Sequence, residues 1–495
     1  MTFETRSPSG RSTSIQVSRR RARGAIAVLA GGALVAVVLY ARGVWADGGA
    51  GSVLRYEVVA APGATELNVE MEVPPGLDAA FAADPEATGF FDGVAVRDAG
   101  RWTPLAAGRD GWQAGQCRRS GCRIRYVFRL RAAASAIGDP DTAAERGATL
   151  VGPASTWLLR PAHLPKGGLV GLLHVTTTAP VKFVTGLPRV ANTPDTYSVA
   201  LLPFFISPYS AFGAFDVDKR QLRGADVNLA IAVPDLAGDR PAIDAWVSAA
   251  ARAIEAYFGR FPGAGALILV VPQRRGVHGK AMGGGGATVL LQIAPGSNLN
   301  DPAHDWMATH EMVHLAIPDL ARRHLWLSEG LATYVEPLAR AMTGELRPEI
   351  VWRDLVRGLP KGLPAPGDRG LDRTHTWGRT YWGGALFAFL ADLEIRKASN
   401  GERSLATGLR AVLRAGGDAR AFWSIEQFTR AVDRAAGKPI ASGLYRRMAE
   451  RPTPVDLPAL WRDLGISVSG DDIRFDDGAP LAAIRRRMVG PARGD

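Results

Sequence analysis

Alternating apolar and polar positions dominate the first part of the chain. Residues 53–60 and 66–73 follow the two-residue period of a half-buried strand, and residues 123–130 and 168–176 repeat it. Pro and Gly interrupt these short segments, an arrangement typical of a β-sandwich. We therefore expect a β-rich, sandwich-like N-terminal domain over residues 53–212.

A helical period replaces this alternation near residue 235. Apolar residues recur at helical spacing over 241–260, and buried strands are predicted at 266–271 and 287–293. The pattern from residue 302 onward is mostly helical, and 404–464 read as several short amphipathic helices. The chain is thus predicted to be a multidomain α+β protein.

Length and composition agree with this organisation. The chain has 495 residues, of which 47% are hydrophobic and 22% charged. At about 150 residues per domain, such a length corresponds to about three domains. The composition excludes a disordered chain, a collagen and a polytopic membrane protein.

The net charge of +11 is concentrated near the N-terminus, since residues 1–46 contain seven Arg and one acid. Residues 1–23 form a basic leader, and the uncharged segment 24–41 predicts a transmembrane anchor or a signal segment. We expect an inner-membrane anchor with the main body exported to the periplasmic side, or secretion to the periplasm if the leader is cleaved after Ala46. Because most of the excess positive charge lies in this leader, where it orients a membrane segment, no nucleic-acid partner is expected.

Two cysteines, Cys117 and Cys122, lie between predicted strands. In an oxidising compartment they would form a disulfide across a hairpin loop. A zinc ribbon would need two more Cys or His residues nearby, and the sequence has none there. A disulfide is therefore expected, with two free thiols as the alternative.

Candidate chemistry is concentrated in the segment His310–Glu311–Met312–Val313–His314. Two His four residues apart face the same side of a helix, where their imidazoles can hold one zinc ion. The neighbouring Glu311 can act as a general base toward water. The alternative is a surface helix with two solvated His.

A second acid supports the metal site. Glu329 lies in an otherwise apolar helical stretch, where a charge needs a partner. Two His, one Glu and an open position form a catalytic zinc set. Glu329 is therefore the predicted third ligand of a single Zn²⁺ ion, and Glu336 is a weaker substitute.

Through these residues, the sequence resembles the gluzincin metallopeptidases. The signature of that clan appears here as His310–Glu311–x–x–His314 followed by Trp–Leu–x–Glu329–Gly. Within that clan it is similar to the glycyl aminopeptidase family, through residues 381–386 and 393–405. The resemblance extends from about residue 53 to 465. It implies a thermolysin-like catalytic domain over 213–400 and a helical C-terminal domain over 401–465. The final segment, 466–495, is polar and contains Arg485–Arg486–Arg487, so we expect it to be a tail.

The resemblance also assigns roles to further residues. It implies that Tyr381 stabilises the oxyanion, a role for which a phenol is chemically suited; a core Tyr is the alternative. His375 could assist it. The glycines Gly284, Gly285 and Gly286 would let a substrate backbone lie close to a strand, or else form a flexible turn. Related enzymes place a Glu after such glycines, and this chain has no acid between 283 and 293.

The main hypothesis is a zinc-dependent metallopeptidase that hydrolyses peptides or proteins in the cell envelope, with Glu311 and Tyr381 as catalytic residues. Exopeptidase activity is not implied, because the Glu is missing. The alternatives are a catalytically weak peptide-binding or envelope assembly factor on a peptidase scaffold, and a zinc hydrolase acting on a non-peptide amide.

Overall fold

Apolar and polar residues alternate in the N-terminal region, so that one face of each predicted strand is buried. In the strand Leu67–Val73, for example, every second side chain is buried. The structure is a computed structural model, and it describes residues 53–490 except 99, 109–110, 165–168, 202–205, 303 and 471. Strands occur at all four positions where the alternation predicts them.

A seven-stranded sheet forms the largest part of the N-terminal region. Its pairs are antiparallel except for one parallel pair, which joins the first strand to Leu169–Thr176. In spatial order its strands are Thr196–Leu201, Leu169–Thr176, Leu54–Ala60, Leu67–Val73, Cys122–Phe128, Phe91–Asp98 and Arg101–Pro104.

Two four-stranded sheets accompany the large one. The first contains Lys182–Thr185, Ser210–Gly213, Thr149–Val151 and Ala144–Arg146, and the second Arg160–Pro161, Ala80–Ala82, Gly111–Gln113 and Ala107–Gly108. Cys117 and Cys122 form a disulfide that closes a one-turn helix, Cys117–Ser120, before the next strand.

A five-stranded sheet lies at the centre of the chain. Its order is Phe215–Leu222, Ala225–Ala232, Leu267–Pro272, Thr288–Ile293 and Val277–Met282. Its inner strands are parallel, and the last strand runs antiparallel at one edge. We call Val277–Met282 the edge strand, because it is last in the sheet order and pairs with one neighbour, Thr288–Ile293.

Helices fill most of the second half. Residue 337, a Pro, lies inside one of them. The helices with their bounds are Leu130–Ile137, Ala154–Trp157, Arg240–Phe258, Met307–His314, Leu325–Met342, Pro348–Gly358, Gly384–Ala398, Leu405–Arg414, Ile425–Ala436, Ile440–Met448, Leu457–Leu464 and Ala482–Met488. Short 3₁₀ turns occupy Pro62–Ala64, Thr88–Phe90, Ala237–Asp239, Arg322–His324 and Leu359–Gly362.

One hydrophobic core extends across the predicted boundary at residue 400. Buried side chains from the five-stranded sheet, the helix Leu325–Met342 and the C-terminal helices belong to the same cluster. A separate cluster fills the N-terminal sheets, and a small third cluster joins them to the five-stranded sheet. Residues 213–400 and the C-terminal helices therefore share their interior.

The predicted transmembrane helix requires a correction. Across the described residues, none of the helices combines the length and the apolar character needed to cross a membrane. The segments 1–23 and 24–41, to which the leader and anchor were assigned, lie outside the described residues.

The predicted polar tail is also structured. The strands Ile466–Ser469 and Asp472–Phe475 form a hairpin, and a helix follows at Ala482–Met488. Arg485 is only 2% exposed, and its guanidinium donates hydrogen bonds to three backbone carbonyls, among them that of Leu464 at 2.8 Å. This buried guanidinium thus closes the end of the helical region.

Candidate metal centre and active site

The helix Met307–His314, the His helix, presents both predicted imidazoles on one side. His310 and His314 have ring centroids 5.2 Å apart, as expected for residues one helical turn apart. The opposite side, with Ala308, Met312 and Val313, is buried in the core. Amphipathic spacing thus fixes the direction in which the two imidazoles point.

Glu329 reaches the same point from the helix Leu325–Met342, the Glu helix. Its Oε2 lies 3.6 Å from Nε2 of His310 and 3.7 Å from Nε2 of His314. One candidate ligand atom from each of the three residues lies within 4.8 Å of the others. The short segment between the two helices is therefore sufficient to bring Glu329 to the His pair.

Asp372 fixes the start of the Glu helix. Its carboxylate accepts hydrogen bonds from Nδ1 of His324 at 2.9 Å, Nε1 of Trp326 at 2.7 Å and the hydroxyl of Tyr445 at 2.9 Å. These bonds lower the pKa of Asp372 although partial burial acts to raise it. The Asp372 carboxylate thus holds the first residues of the helix from which Glu329 projects.

The donor set fits zinc. Two imidazole nitrogens and one carboxylate oxygen are ligands that zinc prefers, and three protein ligands leave a position open. Donor atoms about 2.1 Å from one ion in a tetrahedron lie about 3.4 Å apart, close to the 3.6 and 3.7 Å separations of this site. Burial lowers the pKa of His314 to about 4, so this imidazole is neutral at pH 7, the form that binds metal.

Ser328 holds the ring of His314. Its Oγ lies 2.9 Å from Nδ1 of His314, which leaves Nε2 facing Glu329. Such a bond at the outer nitrogen fixes both ring orientation and tautomer. No sequence pattern pointed to Ser328, although it directly precedes the predicted ligand Glu329.

Glu311 is buried between the His helix and the edge strand. The N–H of Ala281 donates to its carboxylate, and burial raises its pKa to about 7 against the opposing effects of that bond and of His310. A Cβ at Gly279 would lie 2.5 Å from Cγ of Glu311, so only glycine permits this approach. The site therefore contains a carboxylate whose proton affinity suits acid–base chemistry near neutral pH.

Tyr381 lies on a π-helical turn, Arg379–Gly383, beside the Glu helix. The helix Gly384–Ala398, which follows this turn, crosses the Glu helix closely, because a Cβ on Gly330 would lie 2.1 Å from the backbone of Gly384. Burial and the carboxylates of Glu329 and Glu311 raise the pKa of Tyr381, so its hydroxyl keeps its proton and can donate a hydrogen bond.

Glu336, the substitute ligand, is oriented differently. Its Oε1 accepts a hydrogen bond from Arg340 at 3.0 Å, and Arg340 also contacts Asp305 at 2.5 Å. Burial raises the pKa of Glu336 to about 7 despite this partner. The three clustered metal ligands include Glu329 and not Glu336 among the described residues.

The glycines of the predicted substrate site pack against other parts of the chain. A Cβ at Gly284 would lie 2.2 Å from the carbonyl oxygen of Ile206, and one at Gly285 would lie 2.5 Å from Ala200. A Cβ at Gly286 would lie 2.4 Å from the carbonyl oxygen of residue 186. Close packing against the N-terminal region is thus one reason for these glycines; their contact with substrate stays a prediction.

The structure also places His375 and Asp319. The side chain of His375 is exposed, and no described contact joins it to Glu329 or Tyr381. Asp319, which the sequence analysis did not consider, accepts a hydrogen bond from the N–H of Gly284 at 3.0 Å. This contact joins residues 35 positions apart, so no local pattern could have indicated it.

Solved structures share this fold. An aminopeptidase N family protein from Idiomarina loihiensis has a TM-score of 0.62 and 14% identity, covering 84% of this chain and 79% of its own. An M1 zinc metallopeptidase from Deinococcus radiodurans has a TM-score of 0.51 and 15% identity, with coverages of 82% and 96%. A mutant of that enzyme bound to a Tyr-Ser-Ala substrate has a TM-score of 0.50 and 16% identity, with coverages of 82% and 96%.

No protein-family model and no curated protein matches the chain. At 14–16% identity, the likeness to the solved structures establishes the fold. That fold, a multidomain α+β architecture with many sheets and a helical C-terminal region, is similar to the fold of the M1 zinc metallopeptidase. It agrees with the resemblance to gluzincins, whereas the narrower likeness to the glycyl aminopeptidase family stays a prediction.

Proposed function

We propose that this chain is a zinc-dependent metallopeptidase that hydrolyses peptide bonds. The observation that carries the proposal is the convergence of His310, His314 and Glu329, with ligand atoms within 4.8 Å of one another, beside the buried Glu311. A binding module would need neither an open metal position nor a general base. The M1 zinc metallopeptidase fold supports the same conclusion.

Each side chain has a defined part in the proposed reaction. His310, His314 and Glu329 would hold one zinc ion, which when bound supplies a Lewis acid for water and carbonyl oxygen. Glu311 accepts a proton from the attacking water and returns it to the leaving amine, which its pKa of about 7 allows. The protonated hydroxyl of Tyr381 donates a hydrogen bond to the developing oxyanion.

Peptide is the proposed substrate. The edge strand lies at the border of its sheet and beside Glu311, where an extended peptide would add as a further strand. The Deinococcus neighbour bound to a Tyr-Ser-Ala substrate supports this choice.

We propose the exported side of the cell envelope as the place of action. The disulfide between Cys117 and Cys122 is the kind of bond that persists in oxidising compartments. Labelling of free thiols in protein isolated from its natural cell tests this point. We expect no labelling before reduction, and two reactive thiols would contradict export.

Hydrolysis of a peptide library by the zinc-loaded protein and by Glu311→Gln tests the proposed activity. Gln keeps the shape of Glu but cannot take up the proton, so we expect zinc to be retained and the rate to fall at least about 100-fold. Glu394→Gln is the control, because Glu394 forms a surface ion pair with Arg447 at 3.4 Å.

Two outcomes would contradict the proposal. Undiminished turnover by Glu311→Gln would remove Glu311 as the base. Absence of cleavage by the wild type over the whole library would instead favour the peptide-binding or assembly role.

A further inference from the structure

The π-helical turn Arg379–Gly383, which carries Tyr381, is held by a buried ion pair. Nε of Arg379 lies 2.7 Å from Oδ2 of Asp368, and the two side chains are 5% and 2% exposed. Asp368 also accepts a hydrogen bond from the N–H of Gly370 at 2.8 Å. Desolvation offsets much of the attraction in such a pair, so the pair adds little net stability. Its presence therefore indicates a local geometry that has to be kept.

The guanidinium of Arg379 also joins this turn to a second one. It donates a hydrogen bond to the carbonyl of Gly362, in the 3₁₀ turn Leu359–Gly362. A Cβ at Gly362 would lie 2.3 Å from the carbonyl carbon of Trp382, so the two turns meet backbone to backbone. Arg379 thus binds a carboxylate and a carbonyl at the same time, which the planar fork of a guanidinium allows.

The π-turn interrupts a segment that is otherwise α-helical. Residues 377–378 before it and Gly384–Ala398 after it are α-helical. A π-turn contains one residue more than the α-helical path, and each residue of an α-helix rotates the side-chain direction by about 100°. Relaxation of the turn to α-helical geometry would therefore rotate Tyr381 away from its present direction.

The direction of Tyr381 matters because its hydroxyl faces the proposed metal centre, where it interacts with the carboxylate of Glu329. Arg379 lies two residues earlier and is paired with Asp368. Among the contacts of the described residues, none joins Arg379 to the proposed metal ligands. Arg379 can thus influence the reaction only through the position of Tyr381.

We propose that Arg379, held by Asp368, is a positioning residue that keeps the Tyr381 hydroxyl at the metal centre by maintaining the π-turn. The proposal rests on the proposed peptidase function, in which this hydroxyl donates a hydrogen bond to the oxyanion. Misplacement of a catalytic group by about 1 Å can cost about 100-fold in rate. Loss of the ion pair should therefore lower kcat through Tyr381 and leave zinc binding intact.

The test is a double-mutant cycle between Tyr381→Phe and Arg379→Met Asp368→Asn, measured on zinc-loaded protein with a peptide that the wild type cleaves. The paired substitution leaves no buried charge, and Asn can still accept the bond from Gly370. We expect kcat to fall about 10- to 100-fold, with KM and zinc content little changed. In protein that already carries Tyr381→Phe, the paired substitution should lower kcat no further.

Arg379→Lys is the second variant, because it keeps a positive charge beside Asp368 and so protects the fold. A single ammonium cannot reproduce the fork that binds Asp368 and Gly362 together. We therefore expect the same dependence on Tyr381, with a smaller loss of kcat.

Arg396→Met Asp392→Asn is the matched control. Nε of Arg396 lies 3.0 Å from Oδ1 of Asp392 in another buried pair, and Asp392 also accepts a backbone N–H, that of Leu405 at 2.7 Å. Any loss of kcat in this control should be equal with and without Tyr381→Phe. Equal losses in both backgrounds for the Arg379 variants would overturn the proposal, as would a kcat that Tyr381→Phe leaves unchanged.

A spectroscopic measurement separates this proposal from the peptidase function. If the wild type cleaves no peptide, the peptidase function fails separately. Fluorine NMR of protein labelled with fluorotyrosine then reports on Tyr381, whose resonance is assigned by its loss in Tyr381→Phe. A resonance that Arg379→Met Asp368→Asn shifts and the control does not supports the proposal, and a resonance that stays in place overturns it.

Discussion

Burial of Asp319, opposed by one hydrogen bond from Gly284, makes the stability of the protein depend on pH. Burial raises its pKa to about 6 from an ordinary value of 3.8. The native state therefore binds this proton more tightly than the unfolded state, and wild-type stability falls as pH rises from about 4 to about 6. Asp319→Asn lacks this titration.

We predict that Asp319→Asn gains stability relative to wild type between pH 4 and pH 7, by on the order of 2 kcal/mol. Urea unfolding at several pH values measures the difference. A constant difference across this range would show that Asp319 has a cationic partner or is solvated.

Ser328 provides a second prediction for a single side chain. Its hydroxyl fixes His314 through Nδ1, at 2.9 Å. Ser328→Ala should weaken zinc binding about 10- to 100-fold, since the ring is no longer held. A competition titration with a chromophoric chelator measures the change.

Thr333→Ala is the matched control on the same helix, because its hydroxyl only bonds the carbonyl of Glu329, at 2.8 Å. Equal zinc affinities of Ser328→Ala and wild type would exclude this positioning role.

The sequence could indicate His310, Glu311, His314 and Glu329, because helical spacing and one unexplained acid are local signals. It could not indicate Ser328 or Asp319 in the same way. Their partners, Nδ1 of His314 and the N–H of Gly284, lie 14 and 35 positions away. Contacts of this kind arise only when the helices and the edge strand pack.

Among the elements, the crossing of the Glu helix with the helix Gly384–Ala398 determines where the residues of the proposed site lie. A Cβ on Gly330 would lie 2.1 Å from the backbone of Gly384, so the helices meet backbone to backbone. This contact places Tyr381 beside Glu329. A larger residue at the crossing must separate the two helices.

Gly330→Ala should therefore lower the free energy of unfolding by about 3 kcal/mol. Gly443→Ala, in a helix where a Cβ meets nothing within 4 Å, should raise it by about 0.5–1 kcal/mol. Thermal or urea unfolding of both variants checks the pair. A neutral Gly330→Ala would mean that the crossing is loosely packed.

Sequence periodicity located many of these elements to within a few residues. The predicted helix over 241–260 is observed as Arg240–Phe258, and the strand over 287–293 as Thr288–Ile293. Periodicity reports burial, so it succeeds where one face is apolar. Periodicity failed for 466–490. This segment is polar in sequence, like an exposed tail, but Arg485 within it is buried and donates hydrogen bonds to backbone carbonyls.

For the molecule as a whole, the shared core joins the C-terminal helices to the region that holds the proposed metal site. Their buried side chains belong to the same cluster as the Glu helix. The segment after Leu405–Arg414 also packs against Gly283, next to the predicted substrate glycines, since a Cβ at Gly283 would lie 2.1 Å from the carbonyl oxygen of Ala419. The helices therefore support both stability and site geometry.

A chain that ends at residue 400 should consequently fail to fold. Exposure of the apolar face of the Glu helix and its neighbours would remove much of the hydrophobic stabilisation. Circular dichroism and hydrogen exchange of the shortened chain provide the measurement. A cooperative unfolding transition with zinc bound would show that the region up to 400 is independent.

The central claim is that His310, His314 and Glu329 form one zinc site, and metal analysis of the purified protein tests it most directly. We predict about one zinc per chain in the wild type and in Glu311→Gln, and almost none in the His310→Ala His314→Ala double variant. An exposed His163→Ala is the control. A wild type without zinc, or a double variant with full occupancy, would contradict the account.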